Sequence, residues 1–366
     1  MLDSSLLACH HWVVRSVIII AIASLVAATS ASARLPKRPP TAEARAHYEA
    51  AAAYSEARAG VALLIVAGDG IAFAQAPAGQ RMTAARPIYS GVKGLLCPLA
   101  MSAVEDGRIG LEDPAGPLFT TGETSIPVRV RDLLAMTSGL DDAGWWSAVD
   151  GAARHSAIPP DRYAFALSLA VLNAPGRSFQ YSGVHASAFG AFLMAHAIEP
   201  RRALIERVLR PLGVAPRKWS ADAAGQPVLA HGMSLTAEQW AHLGMLMRDD
   251  GVFQGKRLFA PGRLRACLVG SDAMPAYGLG WWLNAPLSPT EHSQIPMLIR
   301  EHLAAPVSGG ASRPFEPGPA DLFAAIGSYD QRMYVVPSRD LVIVRFARKN
   351  EGEPFLDADF LRLVLR

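Results

Sequence analysis

The sequence predicts an α+β fold: an antiparallel sheet flanked by N- and C-terminal helices, with a mostly helical lobe inserted into the chain. Three observations carry this. Apolar strand-like runs cluster near both ends of the chain, at residues 61–75 and 277–346. Helical periodicity dominates the stretch between them. Each end supplies too few strands for a stable sheet of its own, so the two sets are expected to join into one. The expected layout is a signal segment at 1–33, a discontinuous sheet domain made of 41–85 and 277–366, and a helical domain over 86–276. A ligand cleft is expected between the two domains.

In chain order, Arg15 precedes an apolar run from Val17 to Ala28, and Ala31-Ser32-Ala33 follows. That run is short for a bilayer span and fits a cleaved export signal; a retained anchor is the alternative. The chain is therefore expected to be periplasmic or secreted, with no stable membrane span once the signal is removed. Thr41 to Ala59 reads as a capped helix ending at Gly60. Val61 to Ala67, Gly68-Asp69-Gly70 and Ile71 to Gln75 read as a hairpin. Ser90 to Glu105 reads as a helix in which Pro98 should cause a kink or break one backbone bond. Further helices are expected at Val130–Met136, Arg162–Asn173, Val184–Ile198 and Thr236–Asp249. Tyr277 to Leu283 is a candidate strand. Met333–Val336 and Leu341–Phe346 form a second hairpin, and Phe355–Leu365 a closing helix.

Composition narrows the function. Hydrophobic residues make up 51% of the 366 residues and charged ones 18%, the reverse of a disordered chain. The formal charge of +3 arises from 35 basic and 32 acidic residues, too even a balance for a nucleic-acid footprint. Only Cys9, Cys97 and Cys267 occur, which excludes a Cys-rich zinc site and a disulfide framework. After loss of Cys9, the remaining pair either bridges or serves as two buried small apolar residues; the second reading is preferred. No His-Glu-x-x-His, P-loop or Gly-x-Ser-x-Gly elbow is present, and no metal or cofactor is implied. Nothing in the sequence sets the oligomeric state.

The chemistry starts at Ser90-Gly91-Val92-Lys93. A spacing of three at a helix start puts both side chains on one face. A serine hydroxyl needs a base to become a nucleophile. A lysine can serve when burial lowers its pKa, whereas an arginine stays charged. The chain has only five lysines (Lys37, Lys93, Lys218, Lys256 and Lys349), and Lys93 alone has a serine three residues before it.

The surrounding segments make that tetrapeptide specific. Ser90 to Lys93 followed by Ala103 to Pro114, then Val130 to Leu140 with its Thr137-Ser138-Gly139-Leu140 end, Pro175-Gly176-Arg177-Ser178-Phe179-Gln180-Tyr181-Ser182, Tyr277 to Trp282 and Tyr334-Val335-Val336-Pro337 occur in order. Together they resemble the serine β-lactamase-like hydrolases: class C β-lactamases, D-alanyl-D-alanine carboxypeptidases, related esterases and 6-aminohexanoate-oligomer hydrolases. The resemblance implies a β-lactamase/transpeptidase-like fold of two interlocked lobes. It implies Ser90 as acylated nucleophile, Lys93 as its base and Tyr181 as proton carrier. It also places the amides of Ser90 and Ser328 as oxyanion donors. Two departures stand out. Gly183 stands where penicillin-recognising members have an asparagine. Ile326 to Arg332, which matches the third motif, contains neither the Lys nor the His found there; Asp330 would repel a substrate carboxylate and Arg332 could compensate. His231 is a candidate substrate contact or a plain loop histidine, and His185 is expected on a helix surface. Trp145, Trp146, Trp281, Trp282 and Tyr329 are candidates for an apolar acyl pocket. The expected activity is hydrolysis of a small ester or linear amide through an acyl-enzyme. The alternatives are a β-lactamase or D-alanyl-D-alanine carboxypeptidase and, in another class, a catalytically inactive binding protein of the same fold.

Overall fold

A computed structural model of the chain describes residues 34–119, 128–141, 159–304 and 310–366. Residues 34–366 form one compact unit. Its centre is a six-stranded sheet: β1 (Gly60–Ala67), β2 (Gly70–Gln75), β3 (Trp282–Leu283), β4 (Phe323–Gly327), β5 (Gln331–Val336) and β6 (Leu341–Ala347). The spatial order is β2-β1-β6-β5-β4-β3, and every pairing is antiparallel. The two ends of the chain do join, through β1 and β6, which pair from Gly60–Ala347 to Ala67–Leu341.

Strand residues alternate between two cores, as the two-residue period of a pleated strand requires. Leu63, Ile65, Tyr334, Val336, Leu341 and Ile343 face a core built with α1 (Ala42–Ala57) and the C-terminal helix. Leu64, Val66, Met333, Val335, Val342 and Val344 face the helices of the middle of the chain. With both faces covered, the strands read as continuous apolar runs rather than as alternating ones.

On the second face lie α2 (Leu96–Glu105), α3 (Val184–Ala195) and α4 (Ala237–Arg248), and the C-terminal helix on the first is α5 (Asp357–Val364). Thr41 caps α1. Thr236 and Gln239 form a reciprocal cap on α4, a pairing that satisfies two orphan amides. The single helix expected over 90–105 divides into two pieces before Pro98. Residues Tyr89–Leu95 form a 3-10 turn, and α2 begins only at Leu96. Pro98 thus sits in the first helical turn, where its missing N–H has no acceptor to lose. The helix expected over 162–173 stops at Leu167, and Val171 instead bridges to Leu140. Of the strand expected at 277–283, only Trp282–Leu283 joins the sheet.

Cys97 and Cys267 are joined by a disulfide with Cα atoms 5.8 Å apart. This corrects the preference for two free thiols. Both residues are indeed fully buried, but the short 3-10 helix Arg265–Leu268 brings Cys267 to Cys97 in α2, and the sulfurs meet. Among the described residues, no helix is long and apolar enough to cross a membrane.

Candidate active site

The 3-10 turn carrying Ser90 and Lys93 is wedged between both parts of the fold. Below it runs the end of β4: a Cβ on Gly327 would come within 2.2 Å of the Ile88 carbonyl. Beside it runs the loop before β3, where Gly280 (φ +91) approaches the Lys93 carbonyl so closely that a Cβ would sit 2.3 Å away. Only glycine meets both the dihedral and the space at position 280. Tyr89 holds a left-handed backbone, φ 45°, just before the nucleophile position. Such strain persists only where the surroundings enforce it.

Lys93 Nζ lies 3.0 Å from Ser90 Oγ and 3.3 Å from the Ala230 carbonyl. The ammonium also stands 4.6 Å from the centre of the Tyr181 ring. Lys93 is 3% exposed, and burial pushes its pKa down from 10.5 to about 7. Neither oxygen that it contacts is a carboxylate, so no ion pair opposes this desolvation. Near neutrality, a large share of the lysine is the free amine, able to accept the serine proton.

Tyr181 is buried on the other side of Ser90. Its hydroxyl bonds with Ser90 and Trp282, and burial raises its pKa well above the ordinary tyrosine range. The residue therefore stays a hydroxyl, able to hand a proton on but not to act as a standing phenolate. Trp282 packs 5.3 Å from the Tyr181 ring, and Tyr277 meets that ring edge-on at 5.8 Å. His185, expected on a surface, is fully buried because α3 enters the core at its first turn. Its Nε2 meets the Gln180 carbonyl at 2.9 Å and its Nδ1 meets Ser138 Oγ at 3.0 Å. A carbonyl only accepts, so Nε2 carries the proton and Ser138 donates to Nδ1. Burial pushes the ring down to about 4, leaving it a neutral strut behind Tyr181.

Ser328 opens the three-residue turn between β4 and β5, one residue beyond the strand, and lines a cavity of about 530 Å³ together with Ser90. Gln331, which sequence reasoning missed, holds that turn: its side-chain amide donates to the carbonyls of Tyr329 at 2.7 Å and Ala347 at 2.9 Å. Asp330, the expected repulsive charge, lines the cavity that holds Ser90. It is buried, 3.5 Å from both Arg332 and His302. Arg332, the candidate to compensate for a missing third-motif cation, lines the same cavity but has its charge taken up elsewhere. Its guanidinium is 1% exposed and is held by Asp357 at 2.9 and 3.1 Å, which occupies the fork that a substrate carboxylate would need.

His231 directly follows the carbonyl that Lys93 contacts. Its Nε2 accepts from Arg162 at 3.2 Å. Burial, then Arg162 and Lys93, push it down to about 4, so it is a neutral acceptor. Trp281 faces the core, edge-on to Phe323, and Trp282 faces Tyr181. Tyr329 is 47% exposed at the cavity rim. Trp145 and Trp146 lie outside the described residues.

A family model described as Beta-lactamase matches residues 42–366. The chain belongs to the beta-lactamase family. Solved structures share the fold at low identity. A candidate 6-aminohexanoate-dimer hydrolase from Bacillus anthracis is 15% identical, with a TM-score of 0.64 over 91% of this chain and 85% of that one. EstCE1, a hydrolase with promiscuous acyltransferase activity, is 17% identical, with a TM-score of 0.63 over 88% and 98%. A penicillin-binding protein homologue from Caulobacter crescentus is 14% identical, with a TM-score of 0.60 over 90% and 97%. No curated protein matches the chain in sequence. Within this beta-lactamase-family fold, Tyr181, distant in sequence, meets Ser90 and Lys93 at one point, with Ser328 on the same cavity as Ser90 and Gly183 contributing no side chain at the start of α3.

Proposed function

We propose that this chain is an exported serine hydrolase that cleaves an ester or linear amide through an acyl-enzyme on Ser90. The observation that carries the reading is the 3.0 Å contact between Ser90 Oγ and a buried lysine whose contacts include no carboxylate. Ser90 Oγ attacks the carbonyl carbon while its proton passes to Lys93 Nζ. The tetrahedral oxyanion is held by the amides of Ser90 and Ser328. The proton then moves from Lys93 through the Tyr181 hydroxyl to the leaving oxygen or nitrogen as that bond breaks. Water repeats the sequence on the ester to Ser90, freeing the acid and restoring the serine.

Ester and linear amide substrates fit better than β-lactams or D-alanyl peptides. Gly183 offers no amide to the substrate, and the Arg332 charge is committed to Asp357. Export is supported by the segment 1–33 and by the Cys97–Cys267 bond, since such bonds persist in oxidising compartments.

Labelling with a fluorophosphonate and mapping the modified residue tests the mechanism. Label on Ser90, lost together with turnover in Ser90→Ala, is expected. A folded wild-type protein that neither labels nor turns over nitrophenyl esters would instead be a binding protein. Short-chain nitrophenyl esters should show a higher kcat/KM than chromogenic cephalosporins or D-alanyl-D-alanine peptides. The reverse order would overturn the substrate class.

A further inference from the structure

Tyr89 and Tyr329 meet edge to face with ring centres 5.2 Å apart. Both have left-handed backbones, φ 45° and 58°. The pair borders two cavities. One is the cavity of about 530 Å³ that holds Ser90. The other, of about 410 Å³, contains no part of the catalytic trio; Arg86, Arg348 and Lys349 stand around it.

The charges of this second cavity are not balanced. Arg86 donates to the neutral Gln80 amide at 2.8 Å, and its Nε is buried with no partner. Among the described residues, neither Arg86 nor Arg348 pairs with a carboxylate; both line this cavity, Arg86 half-buried and Arg348 exposed, and Arg348 acts on Arg86 as a like charge. Lys349 has the highly exposed Glu351 at 3.4 Å, a pairing that solvent weakens. Arg332, a short distance along the same hairpin, shows the contrast, because Asp357 neutralises it. Two forks of N–H donors lining one cavity, with no acid paired to either, make a receptor for an oxyanion group. The tyrosine rings beside them offer an apolar wall for a methylene chain.

We propose that this second cavity is a substrate subsite for an anionic oxygen group, a carboxylate or phosphate, borne on an alkyl arm that leads from Ser90 past the Tyr89–Tyr329 pair. The subsite deepens the ester or amide reading and rests on it. Anion recognition has moved in this chain from the third motif to the residue four before the nucleophile and to the end of β6.

The test compares nitrophenyl monoesters of adipate and suberate with neutral nitrophenyl esters of matched length, and with a phosphonate-tipped analogue. The expected result is a kcat/KM ratio of anionic to neutral ester of at least about tenfold. That ratio should fall about tenfold in Arg86→Gln and in Arg348→Gln, mostly through KM, and should shrink with added salt. A ratio near one in the wild type for both carboxylate and phosphonate arms, or a ratio unmoved by both variants, would overturn the proposal. A preference for one arm over the other identifies the anion. Calorimetric titration of Ser90→Ala protein with adipate and with propyl phosphate separates this proposal from the catalytic one. Binding that depends on Arg348, without ester turnover in the wild type, keeps the subsite and removes the hydrolase. Ester turnover with no charge preference does the reverse.

Discussion

Two buried cationic side chains have opposite fates. Lys93 touches a serine hydroxyl, a carbonyl and an aromatic face. Arg332, on the side of α1 and α5, touches Asp357 through two bonds and Asp330 more distantly. Both are about as buried as a side chain can be. Burial alone drives the lysine down to about 7, whereas carboxylates lift the arginine above its ordinary value despite its burial. The same loss of water thus yields a base in one place and a permanent strut in the other, according to whether an acid is supplied. Arg345 extends the strut: it holds the carbonyls of Asp330 and Arg58 at 2.8 and 2.6 Å. The β4–β5 turn that carries Ser328 is thereby tied to the end of α1.

This contrast can be broken most strongly on the lysine side. Lys93→Arg keeps a cation but removes the proton acceptor, and ester turnover should fall by ~10²–10⁴-fold. In the wild type, kcat/KM should rise with pH through about 7 as Lys93 loses its proton, with no descending limb from Tyr181 below the ordinary tyrosine range, since burial raises that hydroxyl. A pH-independent rate, or near-normal activity in Lys93→Arg, would make the lysine an electrostatic partner only.

On the arginine side, Asp357→Asn leaves Arg332 buried with its main anion gone. Breaking one partner of a buried pair typically costs about 3–5 kcal/mol. Denaturant unfolding should show a loss of that size, with the pH midpoint of turnover still near that of the wild type. A shift of that midpoint would mean that the two cation sites are coupled.

The smallest effect sharpens the contrast by its sign. The folded pKa of Lys93 lies below its unfolded value, so between about 7 and 10.5 the unfolded chain binds the proton that the folded chain does not. Stability therefore rises with pH across that window, and below it the full cost of burying the charge is present. Lys93→Met should stabilise the protein by ~2 kcal/mol at pH 6, and the gain should shrink towards pH 10. Equal or lower stability of the methionine variant at pH 6, measured by urea titration, would show that the Ser90 and Ala230 contacts outweigh the desolvation.

Much of this was legible in the amino-acid order because it is local. The spacing of Ser90 and Lys93 within one turn, the hairpins around Gly68-Asp69-Gly70 and Pro337 to Asp340, and the caps at Thr41 and Thr236 each depend on neighbours a few residues away. Tyr181 could be assigned only through the segment around it, since an isolated tyrosine at a helix start carries no chemical signal. The tertiary structure alone decided what depends on distant partners. It placed His185 in the core by bringing Ser138 to it, and it closed the Cys97–Cys267 bond. It committed Arg332 to an aspartate 25 residues away and put Arg86 and Arg348 on one cavity. Periodicity reports which face of an element is apolar, but the charge state of a buried group is set by the atoms across the gap. Those atoms come from another part of the chain: the segments that bury Lys93, and the carboxylate they do not supply, bring its pKa down to about 7, and no pattern around residue 93 records either one.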